Sequence, residues 1–237
     1  MKPLVIGHRG AAGYSLENTA ASFQMAIALG VDVIEFDTHE SLDGEFIIIH
    51  DSHTGRVSPF RYSVSKSDSV TLKAIDLYQQ QKLLTLDEAF EIIPSGIGLM
   101  VEVKSLRSVA KMVKLLELQA ASRSLILTSF DLTLLSKIQT FTKEISVGVV
   151  SKSPANVAKA KKMNIFFSDV CLDFQGLTPN LVSQWRQQKL RTFAWTVDHS
   201  KDIERMLDLE VDGIISNKPD CVREILSKRQ TAPEINS

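Results

Sequence analysis

The chain has 237 residues, 44% of them hydrophobic, with 27 basic against 28 acidic side chains and a formal net charge of −1. That length supports one sizeable core, and a single domain is the simplest organisation. The balanced charge gives no footing to nucleic acid or an anionic membrane as partner, so any phosphate recognition must come from locally placed charges.

From Met1 to His8 there is no apolar stretch of signal-peptide length, and no window approaches the ~18 apolar residues of a membrane helix. The expectation is a cytoplasmic protein with no integral membrane segment. Cys171 and Cys221 lack CxxC spacing and a nearby histidine pattern, and are expected as free thiols. The sequence sets no oligomeric state.

Short apolar runs at 4–7, 31–36, 46–49, 97–103, 124–127, 145–150, 165–172, 190–196 and 212–215 alternate with longer stretches at 18–29, 86–93, 108–120, 132–139, 155–162, 179–189, 201–209 and 220–226. In the longer stretches apolar residues recur at three and four, as in Ala21, Met25 and Leu29, which predicts helices. Most of the short runs lack polar alternation, as strands buried on both faces do in parallel sheets. This alternation predicts an α/β fold. About eight units of roughly 30 residues suit a closed (β/α)8 TIM barrel better than a doubly wound sheet. Gly7 and Gly10 flank His8-Arg9, and no GxGxxG follows the first strand.

The barrel is expected to span 1–227. The segment 51–84, with Phe60, Tyr62, Tyr78 and the run Gln79-Gln80-Gln81, is long for a βα connection and reads as an insertion capping the catalytic face. The polar segment 228–237 reads as a disordered tail.

In such barrels the C-terminal strand ends converge on one mouth. The run 4–7 ends in His8-Arg9-Gly10, the next in Glu35-Phe36-Asp37, the run 46–49 in His50-Asp51, and the run from 97 in Glu102-Val103-Lys104. Glu35 and Asp37, two apart on a strand, share a face. Buried there, they repel one another and resist desolvation unless a divalent cation lies between them, with Glu102 as a third oxygen ligand. An all-carboxylate set favours Mg2+, Ca2+ or Mn2+ over zinc. The alternative is that Arg9 and Lys104 neutralise the carboxylates and no metal binds. His8 and His50 suit general base and acid across a scissile P–O bond, in either order. Arg9 and Lys104 suit phosphate oxygens. His39 shares the parity of Glu35 and Asp37 and is expected to border the site, whereas His53 and His199 read as solvated loop residues. There is no GxSxG, and both cysteines are remote in sequence from the histidines.

With these residues assembled, the chain resembles the glycerophosphodiester phosphodiesterase family along nearly its whole length. The resemblance is carried by His8-Arg9-Gly10, Glu17-Asn18-Thr19, Glu35-Phe36-Asp37 with Asp43-Gly44, His50-Asp51, Glu102-Val103-Lys104, Ser129-Phe130-Asp131, Trp195-Thr196-Val197 and Val211-Asp212-Gly213-Ile214 with Pro219. It implies a barrel with a small insertion after the strand bearing the ExD carboxylates, and hydrolysis of glycerophosphodiesters to an alcohol and sn-glycerol 3-phosphate. It also implies Glu35, Asp37 and Glu102 as ligands of one divalent cation, His8 and His50 as the catalytic pair, and Arg9 and Lys104 as phosphate contacts. Glu17 is expected to orient Arg9, to border the metal or to cap the following helix, and Trp195 to wall the substrate site or pack in the core. Leu16, the Ser52–Arg56 stretch and Ser216-Asn217-Lys218 depart from the family's usual pattern. These departures are expected to bear on substrate preference more than on the reaction. A lysophospholipase D-like activity on the same centre is the nearest alternative, and a non-catalytic phosphate-binding barrel a more distant one.

Overall fold

The structure, a computed structural model, describes residues 2–231. Its strands are β1 (Leu4–His8), β2 (Val33–Glu40), β3 (Phe46–Ile48), β4 (Leu84–Thr85), β5 (Gly98–Ser105), β6 (Leu125–Ser129), β7 (Ser146–Ser151), β8 (Asp169–Asp173), β9 (Arg191–Trp195) and β10 (Gly213–Ser216). Its α-helices are α1 (Ala20–Ala28), α2 (Ser69–Ala74), α3 (Leu86–Ile92), α4 (Val109–Ala120), α5 (Leu132–Ile138), α6 (Pro154–Lys162), α7 (Pro179–Gln187), α8 (Ser200–Asp208) and α9 (Pro219–Thr231). β1, β2 and β5 through β10 are parallel, and β1 pairs with both β2 and β10, which closes an eight-stranded (β/α)8 barrel.

Side-chain parity divides the core. Ile6, Val33, Met100, Ile126, Val150, Cys171, Phe193 and Ile215, one from each barrel strand, form the interior cluster. Residues of opposite parity, such as Val5, Ile34, Val101, Leu127, Val149 and Ala194, pack outward on the helices. A strand alternates faces every residue, so positions two beyond each interior residue share its face and rise toward the mouth.

Helix starts are written in local chemistry. Thr19 caps α1, Asp131 caps α5 through the N–H groups of Thr133 and Leu134, and Ser153 and Thr178 precede prolines at the first turns of α6 and α7. Each such cap is worth about 1 kcal/mol.

Two expectations are corrected. The run 46–49 is not a barrel strand. β3 is antiparallel to the outer end of β2, pairing Thr38 with Ile48 and Glu40 with Phe46. The chain reverses at Asp43-Gly44, where Gly44 has φ 83°, and the β2–β5 register slips between Thr38 and His39 as β2 leaves the barrel. His50 thus reaches the rim on a returning arm.

The tail expectation also fails for residues 228–231, which continue α9. Leu226 is buried just before them, Lys228 pairs with Glu224 at 2.6 Å, and Arg229 reaches Asp208 at 2.8 Å. Residues 232–237 lie outside the described part. The segment 51–84 packs over its own small core of Ile47, Ile49, Val57, Val64, Leu72, Ile75, Leu77 and Leu83. Among the described residues no helix is long and apolar enough to cross a membrane.

Candidate active site

A cavity of about 270 Å³ opens where the strands end. Parity explains much of its lining. Two beyond Ile6 stands His8, two beyond Val33 stands Glu35, and two and four beyond Met100 stand Glu102 and Lys104. Thr128, Phe130, Lys152 and Trp195 arise in the same way, and Arg9 and His50 complete the wall.

The carboxylates converge. Glu35, Asp37 and Glu102 are all buried and offer oxygens within 4.8 Å of one another. Burial and the charges of Asp37 and Glu102 push Glu35 well above its usual range, and burial with the charge of Asp37 raises Glu102 to about 7. Burial acts on Asp37 in the same sense, but Lys104 and Arg9 overcome it and hold that group down at about 2. The Lys104 ammonium lies 3.0 Å from Asp37 Oδ1 and donates to Glu102 Oε1. Three crowded carboxylates, two of them bridged by one ammonium, are an all-oxygen donor set that fits a hard divalent cation.

Arg9 is fixed on several sides. Its backbone is left-handed, φ 50°, and its N–H donates to Glu35 Oε2 at 2.9 Å. Its carbonyl accepts from Ser22 Oγ at 2.6 Å and from the Asn18 N–H at 3.0 Å. A non-glycine residue holds such a conformation only where neighbours over-determine it. Gly10 follows at φ 85°, and a Cβ there would lie 2.4 Å from Ser22 Oγ, so the turn admits no side chain. The Arg9 guanidinium reaches Glu17 Oε1 at 2.8 Å and Asp37 Oδ2 at 3.1 Å. Of the options for Glu17, its carboxylate lies on Arg9, and the helix is capped by Thr19.

The histidines have different partners. His8 Nδ1 lies 2.7 Å from Asn217 Oδ1, and Nε2 lies 4.0 Å from Glu35 Oε2. Burial, reinforced by the Arg9 charge, lowers His8 to about 4, so the ring is neutral at neutral pH. His50 Nδ1 lies 2.7 Å from Asp51 Oδ1. Asp51 is gripped by Arg56, whose Nε donates at 2.8 Å. Against burial, Arg56 and His50 hold the Asp51 carboxyl below the usual carboxylate range. His39 is buried behind the site, its Nδ1 at 2.9 Å from Ser105 Oγ and its Nε2 at 3.0 Å from the His50 carbonyl. His53 caps Gly55, and His199 is exposed. Trp195 is half-buried, donates from Nε1 to the Cys171 carbonyl at 2.9 Å, and meets Phe130 edge-on with ring centroids 5.6 Å apart.

Sequence reasoning missed several neighbours. Phe130 and Lys152 line the cavity, and Asn217, held by Asp198, contacts His8. Phe130, Lys152 and Asn217 were within reach of parity, being four beyond Ile126, two beyond Val150 and two beyond Ile215. Arg56 and Asp198 sit on connecting segments, where no period marks them. Asn217 was expected to bear on substrate preference, whereas it bonds a histidine of the proposed pair. Cys171 is buried and Cys221 half-buried, and neither forms a disulfide.

Comparison with known proteins matches residues 8–221 to the glycerophosphoryl diester phosphodiesterase family. A glycerophosphodiester phosphodiesterase of Caldanaerobacter subterraneus subsp. tengcongensis is 28% identical over 248 residues, covering 96% of this chain and 99% of the relative. The human lysophospholipase D GDPD1 is 23% identical, over 94% of this chain and 85% of its own length. A phosphodiesterase of Oleispira antarctica, solved with the product sn-glycerol-3-phosphate, superposes with a TM-score of 0.86 at 22% identity, covering 95% of this chain and 97% of that one.

Proposed function

The chain belongs to the glycerophosphoryl diester phosphodiesterase family, and we propose that its cavity hydrolyses glycerophosphodiesters to an alcohol and sn-glycerol 3-phosphate by two-histidine acid–base catalysis beside a divalent cation. One observation carries the reading: three buried carboxylates lie within 4.8 Å of one another, and two of them, Glu35 and Glu102, line one cavity with His8, His50, Arg9 and Lys104.

Glu35, Asp37 and Glu102 would hold the cation, with Mg2+, Ca2+ or Mn2+ favoured by an all-oxygen set. When bound, it supplies positive charge to a phosphate oxygen and makes phosphorus more electrophilic. Arg9, braced by Glu17, and Lys104 bind the remaining phosphate charge. One histidine takes the proton of the attacking oxygen, which is water or the substrate's own glycerol hydroxyl. The other protonates the leaving alcohol. Attack by the hydroxyl forms a cyclic phosphate, which water opens to glycerol 3-phosphate in a second step with the histidine roles reversed. His39 supports the His50 backbone, and Trp195 and Phe130 give the substrate an apolar wall.

The test is release of glycerol 3-phosphate from glycerophosphodiesters with several head groups, before and after exhaustive chelation. Turnover that survives metal removal intact would sink the cation's role, and no turnover in metal-replete enzyme would sink the reaction.

A lysophospholipase D-like activity is the second reading. Phe60, Tyr62 and Val70 are exposed together on the insertion around one shallow groove, as an enzyme meeting acyl chains requires. Relative rates on glycerophosphocholine and lysophosphatidylcholine separate the two.

A further inference from the structure

The hydrogen bond that holds His8 leads back to a residue that does not line the cavity. Asp198 accepts three hydrogen bonds. Its Oδ1 takes the Asn217 backbone N–H and the Ser216 hydroxyl, each at 2.8 Å, and its Oδ2 takes the Asn217 side-chain NH2 at 2.7 Å. A carboxylate has no hydrogen to give back, so the Asn217 amide faces it with nitrogen. The amide oxygen is then turned to His8 Nδ1, 2.7 Å away, and an oxygen there accepts. Nδ1 must carry the ring hydrogen. In the neutral imidazole Nε2, on the Glu35 side, is bare.

We propose that Asp198 is a positioning residue that acts through Asn217 to fix His8 as the Nδ1–H tautomer, which makes His8 the proton acceptor of the catalytic pair. The proposal rests on the phosphodiesterase reading for the chemistry, but not for the tautomer. The attacking oxygen forms its bond to phosphorus as its proton passes to His8 Nε2. The P–O bond to the alcohol breaks as the leaving oxygen takes a proton from His50. His8 ends with two N–H groups, one on Asn217 and one facing Glu35, and His50 ends neutral. Proton exchange with solvent restores both. The opposite tautomer would present an N–H to the attacking oxygen and could take nothing from it.

The polarity of this chain of bonds can be reversed by one atom. In Asp198→Asn the new amide oxygen keeps the bonds from Ser216 and the Asn217 backbone, and its NH2 faces the Asn217 side chain. Asn217 must then turn its oxygen toward that donor and its own NH2 toward His8. Nδ1 becomes the acceptor, and the ring hydrogen moves to Nε2. The exchange variant Asp198→Asn/Asn217→Asp restores the original sense, because a carboxylate at 217 accepts from both sides.

Nitrogen-15 NMR of histidine-labelled protein at neutral pH distinguishes the two tautomers, with the His8 signal assigned by its loss in His8→Gln. The expected results are a bare Nε2 in the native protein, a protonated Nε2 in Asp198→Asn, and a bare Nε2 again in the exchange variant. Turnover should follow the tautomer, with kcat about 100-fold lower in Asp198→Asn and largely recovered in the exchange variant. KM should stay within about threefold, since substrate contacts are unchanged. A protonated Nε2 in the native protein overturns the proposal. So does an Asp198→Asn protein with native tautomer and native kcat. Should Asp198→Asn not fold, the native spectrum and the exchange variant still decide. The expected spectra in a protein that turns over no glycerophosphodiester would sink the reaction while leaving the tautomer assignment intact.

Discussion

Arg56 grips Glu17 with two parallel hydrogen bonds, Nη1 to Oε2 at 2.6 Å and Nη2 to Oε1 at 2.8 Å. The same guanidinium holds Asp51, which holds His50, and Glu17 in turn holds Arg9. One insertion residue therefore ties the His50 arm to the turn after β1.

Arg56→Lys keeps the charge and loses the planar fork. Lysine can serve Glu17 or Asp51 in this geometry, but not both bidentately. The expected outcome is a roughly tenfold loss in kcat/KM, shared between kcat, through His50, and KM, through Arg9. Steady-state kinetics on one glycerophosphodiester checks it. A loss confined to KM would mean that Arg56 does not act on His50.

His8→Ala and His50→Ala should each lower kcat by about 100-fold to 10,000-fold with little change in KM. Both act in one transition state, so the double variant should fall far short of the product of the two losses. Kinetics on the three proteins, with folding checked by circular dichroism, gives the answer. A single variant that retains native kcat removes that histidine from the mechanism.

Much of this site was legible in the sequence because a parallel barrel repeats one rule. Glu35, Asp37, Glu102 and Lys104 could be placed on a common mouth from strand parity alone, and His8 ends the first run. His50 lines the same cavity, but not by the route its run suggests. The run that carries it looks like a buried barrel strand, but the Asp43-Gly44 turn folds it back along β2. The hold on His8 was not legible. Asp198 is separated by 19 residues from Asn217 and by far more from His8, and each bond exists only after the barrel closes. The end of α9 misled for a related reason. Its polarity resembles a loose tail, while the contact that holds it, Arg229 to Asp208, is tertiary.

Asp43 predicts an acid limb in stability. It joins the β2–β3 turn to the start of α2, accepting from Ser41 Oγ at 2.5 Å, Ser69 Oγ at 2.7 Å and the Ser69 N–H at 3.0 Å. Those hydroxyl bonds, Ser41's foremost, lower its pKa to about 2. A carboxyl held below its unfolded value stabilises the fold above that value, about 3.9, and the gain disappears as pH falls through about 2. Asp43 is exposed, so the effect is small. Asp43→Asn should melt about 1–2 °C lower at neutral pH and match the parent near pH 2. A gap that persists unchanged in acid would show that the hydrogen-bond geometry matters and the charge does not.

The carboxylate cluster predicts opposite effects of one substitution with and without metal. Without a cation, Glu35 is buried against Asp37 and Glu102, and its ionised form is opposed by both burial and charge. Glu35→Gln removes that charge, yet its amide oxygen can still accept the Arg9 N–H. The metal-free variant should therefore melt above the metal-free parent, by about 2–4 °C for roughly 1 kcal/mol relieved. With Mg2+ the order should reverse. The parent gains stability with ligand concentration in proportion to its affinity, and a variant short of one anionic ligand gains far less at the same concentration. Calorimetric melting of both proteins across a Mg2+ titration gives both signs in one experiment. Equal stabilisation of the two by Mg2+ would mean that Glu35 does not ligate the ion. A metal-free variant less stable than its parent would mean that Arg9 and Lys104 already neutralise the cluster.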